Sequence, residues 1–125
     1  MSELIHPDRL SFWKAVDRLV DEHPVVIDRP AGFAHPRFPQ IVYPLDYGYL
    51  DGTRAMDGDG IDVWLGRQGG STVTGIVMTV DLHKNDAELK ILIGCTQEEM
   101  RIIEAHHNGL SQYGQLLARA EHEPV

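Results

Sequence analysis

Asp57, Asp59 and Asp62 fall within six residues, separated only by Gly58, Gly60 and Ile61. Carboxylates this close repel: at an effective dielectric of about 20 and a separation of roughly 5 Å, each pair costs about 3 kcal/mol. A bound cation relieves that cost, and oxygen-only ligands select a hard ion such as Mg²⁺, with Mn²⁺ as the alternative. A solvated turn accounts for the same residues without a metal, because Asp-Gly pairs are common turn formers. An EF-hand is excluded by spacing. With Asp57 at the first position of such a loop, Asp62 falls where its glycine belongs and Gln68 falls at its bidentate glutamate.

The elements around these acids follow from local pattern. Gly58 and Gly60 give a tight backbone path, so Asp57 and Asp59 belong on a loop, while the alternating run Ile61–Leu65 reads as a strand that carries Asp62. The segment from Thr72 to Val80 is the longest β pattern in the chain, with Gly75 marking a bulge or bend. It runs into a polar tip and returns as a strand from Ala87 to Ile93, so Asp81 and Asp86 stand at the two ends of one hairpin loop. In isolation such a pair is an ordinary set of turn residues. Upstream, Arg29, His35 and Arg37 lie in a stretch stiffened by Pro30, Pro36 and Pro39, which would hold cationic side chains at fixed positions, as an anion site requires. A surface loop with solvated arginines is the alternative.

Val25–Ile27 and Ile41–Tyr43 read as short strands, and Tyr43, Tyr47 and Tyr49 as core residues with hydroxyls at a rim. Residues from about Pro7 to Glu22 form an amphipathic helix, with Leu10, Trp13, Val16, Leu19 and Val20 at helical spacing. Its apolar stripe packs on the strands or on a second copy, which leaves a homo-oligomer open. Thr96-Gln-Glu-Glu99 is a capping box that opens a second helix, ending near His107 at Asn108-Gly109. His106 and His107 are adjacent and so point about 100° apart on a helix, which suits an exposed pair better than a zinc site. Leu110 to about Ala120 reads as a last short helix.

The chain of 125 residues, 42% hydrophobic, suits one domain with one core. A net charge of −8 opposes nucleic-acid binding but not a phosphate substrate, because bound cations invert the local charge. A single cysteine, Cys95, excludes an internal disulfide and fits a reducing compartment. The first residues do not read as a signal peptide and no apolar run reaches membrane length, so the expected location is the cytoplasm. Helix, short strands, one long hairpin and further helices give an α+β domain around a small closed or partly open barrel.

Two motifs together resemble a known family. The heptapeptide from Asp57 to Val63 (Asp-Gly-Asp-Gly-Ile-Asp-Val) is similar to the Asp-x-Asp-(Pro/Glu)-apolar-Asp-apolar signature of soluble family I inorganic pyrophosphatases. Tyr43-Pro44, Tyr47-Gly48-Tyr49 and Gly52-Thr53 resemble the lead-in of the same family. The likeness is firm from about Val25 to Leu65, weaker from Thr72 to Gly94 and absent from the N-terminal helix. Gly60 stands in place of the usual Pro or Glu.

The resemblance implies an OB-like five-stranded barrel, spanning about residues 24–94; with the helices read from local pattern at about 7–22 and 96–120 it makes a single domain. It implies Mg²⁺-dependent hydrolysis of inorganic diphosphate, with Asp57, Asp62, Asp81 and Asp86 as metal ligands. Asp59 is the general base, Tyr47 hydrogen-bonds the phosphate or a metal-bound water, and Arg37, with Arg29 in reserve, grips phosphate. Glu88 stands where the family places a lysine; Lys90, two residues along, points to the same face. Histidine and asparagine stand at 107 and 108 where the family usually has a Tyr-Lys pair. Those departures keep two other readings open: hydrolysis of a different phosphoanhydride, such as a nucleotide, and a Mg²⁺ or phosphometabolite-binding module without turnover.

Overall fold

A computed structural model describes residues 9–120. Its first helix, α1 (Phe12–Asp21), opens at Ser11, whose hydroxyl accepts from the Lys14 N–H and so satisfies one amide that a helix start leaves free. The helix expected from about Pro7 thus begins later, since residues 9–11 are not helical; Pro7 itself lies outside the described residues. Six strands follow: β1 (Val25–Arg29), β2 (Asp46–Leu50), β3 (Ile61–Leu65), β4 (Val73–Asp81), β5 (Asp86–Ile93) and β6 (Gln112–Ala118), with helix α2 (Gln97–His106) between the last two. They form one sheet in the order β1-β2-β3-β5-β4-β6. Only β3 and β5 run parallel; every other pair is antiparallel. This is the expected small OB-like α+β architecture, although β2 was not among the strands read from the sequence.

The sixth strand corrects the sequence reading. Residues 110–120 were expected to be helical, yet Gln112–Ala118 pairs with β4 along its whole length, from Asp81↔Gln112 to Gly75↔Ala118. The edge of β4 that β5 leaves open supplies a hydrogen-bond partner for every second residue there, which outweighs a modest local helix preference. Ile41–Tyr43 is likewise not a named strand; only an isolated bridge, Ala34↔Val42, forms. Gly75 does mark an irregularity, because the β4–β5 register shifts between Val73 and Gly75.

Period-two alternation sorts the sheet into two faces. One carries Leu50, Val63, Ile76, Ile91 and Ile93 against Val16 and Val20 of α1. The other carries Trp64, Val77 and Leu92 against Met100 and Ile103 of α2, with Tyr43 alongside. Helix α2 begins with the expected capping box: Thr96 Oγ1 accepts from the Glu99 N–H at 3.1 Å and Glu99 Oε1 accepts from the Thr96 N–H at 2.9 Å. At Gly48 an added Cβ would lie 1.9 Å from the Val26 carbonyl oxygen, so β1 crosses β2 where only glycine fits. No helix among the described residues is long and apolar enough to cross a membrane.

Candidate functional site

The α2-side face of the sheet also builds a polar cleft. Tyr47 on β2 stands opposite Trp64 on β3, and the parallel β3–β5 register (Val63↔Ile91) sets Asp62 beside Lys90. Glu88 precedes Lys90 by two residues on β5 and so shares its face. The outcome is a four-residue cluster. Lys90 Nζ donates to Asp62 Oδ2 at 2.8 Å, to Glu88 Oε2 at 2.8 Å and to the Tyr47 hydroxyl at 2.9 Å. All three ammonium donors are thus used, and Lys90 is only 4% exposed. Burial works to discharge this lysine, but the Tyr47, Asp62 and Glu88 oxygens outweigh it and hold its pKa above the ordinary range. Burial pushes the Tyr47 phenol up as well, so it stays neutral and serves Lys90 as an acceptor. Breaking a buried ion pair by removing one partner typically costs about 3–5 kcal/mol. This cluster is therefore a rigid floor.

The acidic loop forms one wall. Asp57 and Asp59 are exposed between β2 and β3, and Asp57 Oδ1 accepts from the Asp59 N–H at 2.9 Å. Gly58 has φ 89°, a left-handed conformation that favours glycine. At Gly60 an added Cβ would sit 2.7 Å from the Tyr49 ring, which gives the glycine at this departure from the family pattern a packing reason. At the hairpin, Asp81 Oδ1 accepts from the N–H groups of His83 and Lys84 at 3.0 and 3.1 Å and from Ser111 Oγ at 2.8 Å. Those donors, led by the Lys84 N–H, hold its pKa below the usual carboxylate range. Asp86 is Asp81's cross-strand partner, as the hairpin reading expected, but it does not line the cleft.

Cations line the same cleft. Arg29, at the end of β1, donates from Nη1 to the Tyr43 hydroxyl, and its guanidinium carbon lies 5.4 Å from that ring's centroid. Arg37 is exposed on the proline-stiffened loop. His35 Nδ1 accepts from the N–H groups of Arg37 and Phe38 at 3.0 and 3.3 Å, so the loop carrying Arg37 is tied to an imidazole. Burial, then the charges of Arg29, Lys84 and Arg37, lower the His35 pKa and favour the neutral ring that such an acceptor needs.

Beyond the cluster the sequence reading needs one correction. His106 and His107 are not an exposed pair: His107 is 5% exposed and His106 is half-buried. The last turn of α2 packs on the wholly buried Trp64, and Trp64 Nε1–H donates to His107 Nε2 at 3.0 Å. Asn108, which stands in place of a family phosphate ligand, serves the sheet instead. Its side chain donates to the carbonyls of Glu104 and Gly114 and accepts from the Gly114 N–H, all within 3.0 Å. Together with Glu104 Oε2, which accepts from the Leu116 N–H at 2.7 Å, it blunts the outer edge of β6.

The expected residues Arg29, Arg37, Tyr47, Asp57, Asp59, Asp62, Asp81 and Lys90 thus line one cleft of about 1210 Å³, with Glu88 among them. Their oxygen-only acids have the chemistry of ligands for a hard divalent cation. Among the described residues, however, no three acids or other metal-ligating side chains converge on one point, and Lys90 already pairs with both Asp62 and Glu88. The donor set fits Mg²⁺, and its arrangement is open rather than closed around an ion.

The fold itself has solved counterparts. An inorganic pyrophosphatase from Neisseria gonorrhoeae superposes with a TM-score of 0.57 at 21% identity, covering 71% of this chain and 77% of that one. An inorganic phosphatase from Anaplasma phagocytophilum gives 0.53 at 16% identity, over 75% of this chain and 81% of the other. An inorganic pyrophosphatase from Helicobacter pylori gives 0.52 at 12% identity, with the same coverage. No protein-family model and no curated protein sequence matches the chain. Likeness at this level of identity establishes a shared fold: the chain is built on the architecture of the inorganic pyrophosphatases.

Proposed function

We propose that the cleft hydrolyses a phosphoanhydride, with inorganic diphosphate as substrate and Mg²⁺, or secondarily Mn²⁺, as cofactor. One observation carries this reading: on a pyrophosphatase-like fold, the Asp57–Asp62 loop, Tyr47 and the two arginines line the same cleft. When bound, the divalent ion would neutralise diphosphate charge and acidify a water, held by Asp57 and Asp62 with Asp81 as a further ligand; Asp86, outside the cleft, is not among them.

The remaining roles belong to the chain's own side chains. Arg37, exposed and lining the same cleft as the acids, binds the anionic substrate, and Arg29 supports it from the end of β1. Asp59 accepts the proton of the attacking water; on its glycine-flanked loop it is exposed and makes no side-chain ion pair among the described residues. Tyr47 and Lys90 present a fixed dipole and charge from the floor, where they favour negative charge developing on the leaving phosphate.

Phosphate release from diphosphate by the purified protein, with and without Mg²⁺, tests the proposal beside Asp59→Asn. The variant alters an exposed loop carboxylate and should fold normally, while turnover falls about 10²–10⁴-fold, the usual worth of a general base. Metal-independent release, or full activity in the variant, refutes it.

A second reading has its own support. The cleft volume exceeds what a small inorganic anion fills, and Glu88 makes one wall acidic, so a bulkier phosphoanhydride such as a nucleotide is a natural competitor. A small substrate panel separates the two. Metal binding without turnover on any of them would leave a binding module.

A further inference from the structure

Lys90 stands where the surrounding acids call for a cation. Its side chain is 5% exposed and bonded to oxygens contributed by three strands: Asp62 on β3, Tyr47 on β2 and Glu88 on its own strand. The ammonium also lies 5.5 Å from the Tyr47 ring centroid, in cation–π range. It is a fixed charge, not a mobile surface arm.

We infer that Lys90 is a tethered counter-cation that competes with a divalent ion for Asp62, so that it sets how tightly the cleft holds metal. This rests on the reading of the cleft as a divalent-cation site. A Mg²⁺ ligand bond is about 2.0–2.1 Å long. The ammonium nitrogen is 2.8 Å from Asp62 Oδ2, so an ion on that oxygen would press against a like charge that has little room to retreat. Glu88 enters with the opposite sign. By sharing the ammonium at 2.8 Å it weakens the lysine's hold on Asp62, and its own charge favours a divalent ion nearby. Asp62, Glu88 and Lys90 together carry one negative charge; Lys90→Met raises that to two, and Glu88→Gln removes it.

The two substitutions therefore move metal affinity in opposite directions, which a merely structural role would not do. The experiment is Mn²⁺ titration of the metal-free wild type, Lys90→Met, Glu88→Gln and the double variant, by calorimetry and by electron paramagnetic resonance of free Mn²⁺. Lys90→Met should bind at least about tenfold more tightly or take up one further ion, and Glu88→Gln should bind several-fold more weakly. The melting temperature of Lys90→Met should fall without metal and recover with Mn²⁺ by more than the wild type gains. Unchanged or weaker binding by folded Lys90→Met overturns the inference. Should that variant need metal to fold, the double variant, freed of the second half-buried acid, must bind more tightly than Glu88→Gln, and failure there overturns it equally. Absence of Mn²⁺ binding in both wild type and Lys90→Met would sink the metal reading along with it, whereas binding without a Lys90 effect sinks this inference alone.

Discussion

Acid should unfold this protein partly through one imidazole. His107 Nε2 accepts the Trp64 indole N–H at 3.0 Å, so it must carry the lone pair, and Nδ1 then donates to Gln112 Oε1 at 3.1 Å. Protonating Nε2 would set two donors against each other beside a wholly buried indole. Burial, with Lys90 and His106 adding repulsion, lowers the His107 pKa from 6.5 to about 4. Because the folded value is the lower one, the unfolded chain binds more protons between those pH values, and stability is lost as pH falls through that window. At about 1.4 kcal/mol per pH unit the full loss is about 3 kcal/mol, of which about 2 kcal/mol is gone by pH 5. The assay is urea unfolding followed by circular dichroism at intervals between about pH 7.5 and 4.5, for the wild type and His107→Gln. Glutamine keeps an acceptor for Trp64 and a donor for Gln112 but does not titrate. His35 and His106, whose pKa values are also lowered by burial, contribute to both curves and cancel in the difference. A wild-type curve that runs parallel to the variant across this window would refute the reasoning.

Asn108→Ala removes three hydrogen bonds and reopens the β6 edge; a loss of about 1–2 kcal/mol is expected, with concentration-dependent self-association on a sizing column. Glu99 is 0% exposed and receives the Thr96 and Arg67 N–H groups, so Glu99→Gln should cost about 2–3 kcal/mol in denaturant unfolding. Burial alone would raise the Glu99 pKa, yet those donors win and lower it, so this part of the stability is present at neutral pH and lost below the ordinary carboxylate range. Gly60→Ala places a methyl 2.7 Å from the Tyr49 ring, and a stability loss of about 1–3 kcal/mol, read by urea midpoint, is the expected result.

What could be read in the sequence was local. The spacing of Asp57, Asp59 and Asp62, the hairpin bounded by Asp81 and Asp86, and the Thr96–Glu99 box each depend on residues a few positions apart, and each formed where expected. The misread segment, Gln112–Ala118, takes its conformation from β4, more than thirty positions earlier in the chain. The same is true of His107, whose burial depends on α2 docking over Trp64. Side-chain parity did place Lys90 on the face of Glu88. Its bond to Asp62, by contrast, follows from the parallel β3–β5 pairing, which no local pattern announces.

That pairing also reshapes what the departures at 88 and 108 mean. Two residues along a strand is about 6.8 Å. The resemblance implies a lysine at 88; here the cation sits one full pleat further along β5, on the buried floor, and an acid occupies the vacated position. Position 88 thereby carries a negative charge where the resemblance implies a positive one, and Asn108 adds none in compensation because its amide is committed to β6. Attraction for an anion under the proposed function then falls to Arg37, Arg29 and Lys84, which line the cleft, and to whatever cation the Asp57–Asp62 loop recruits. Under the proposed function, a substrate in such a cleft would be held by these cations and by its metal, so that metal occupancy, and with it the Lys90–Asp62 contact, would govern binding.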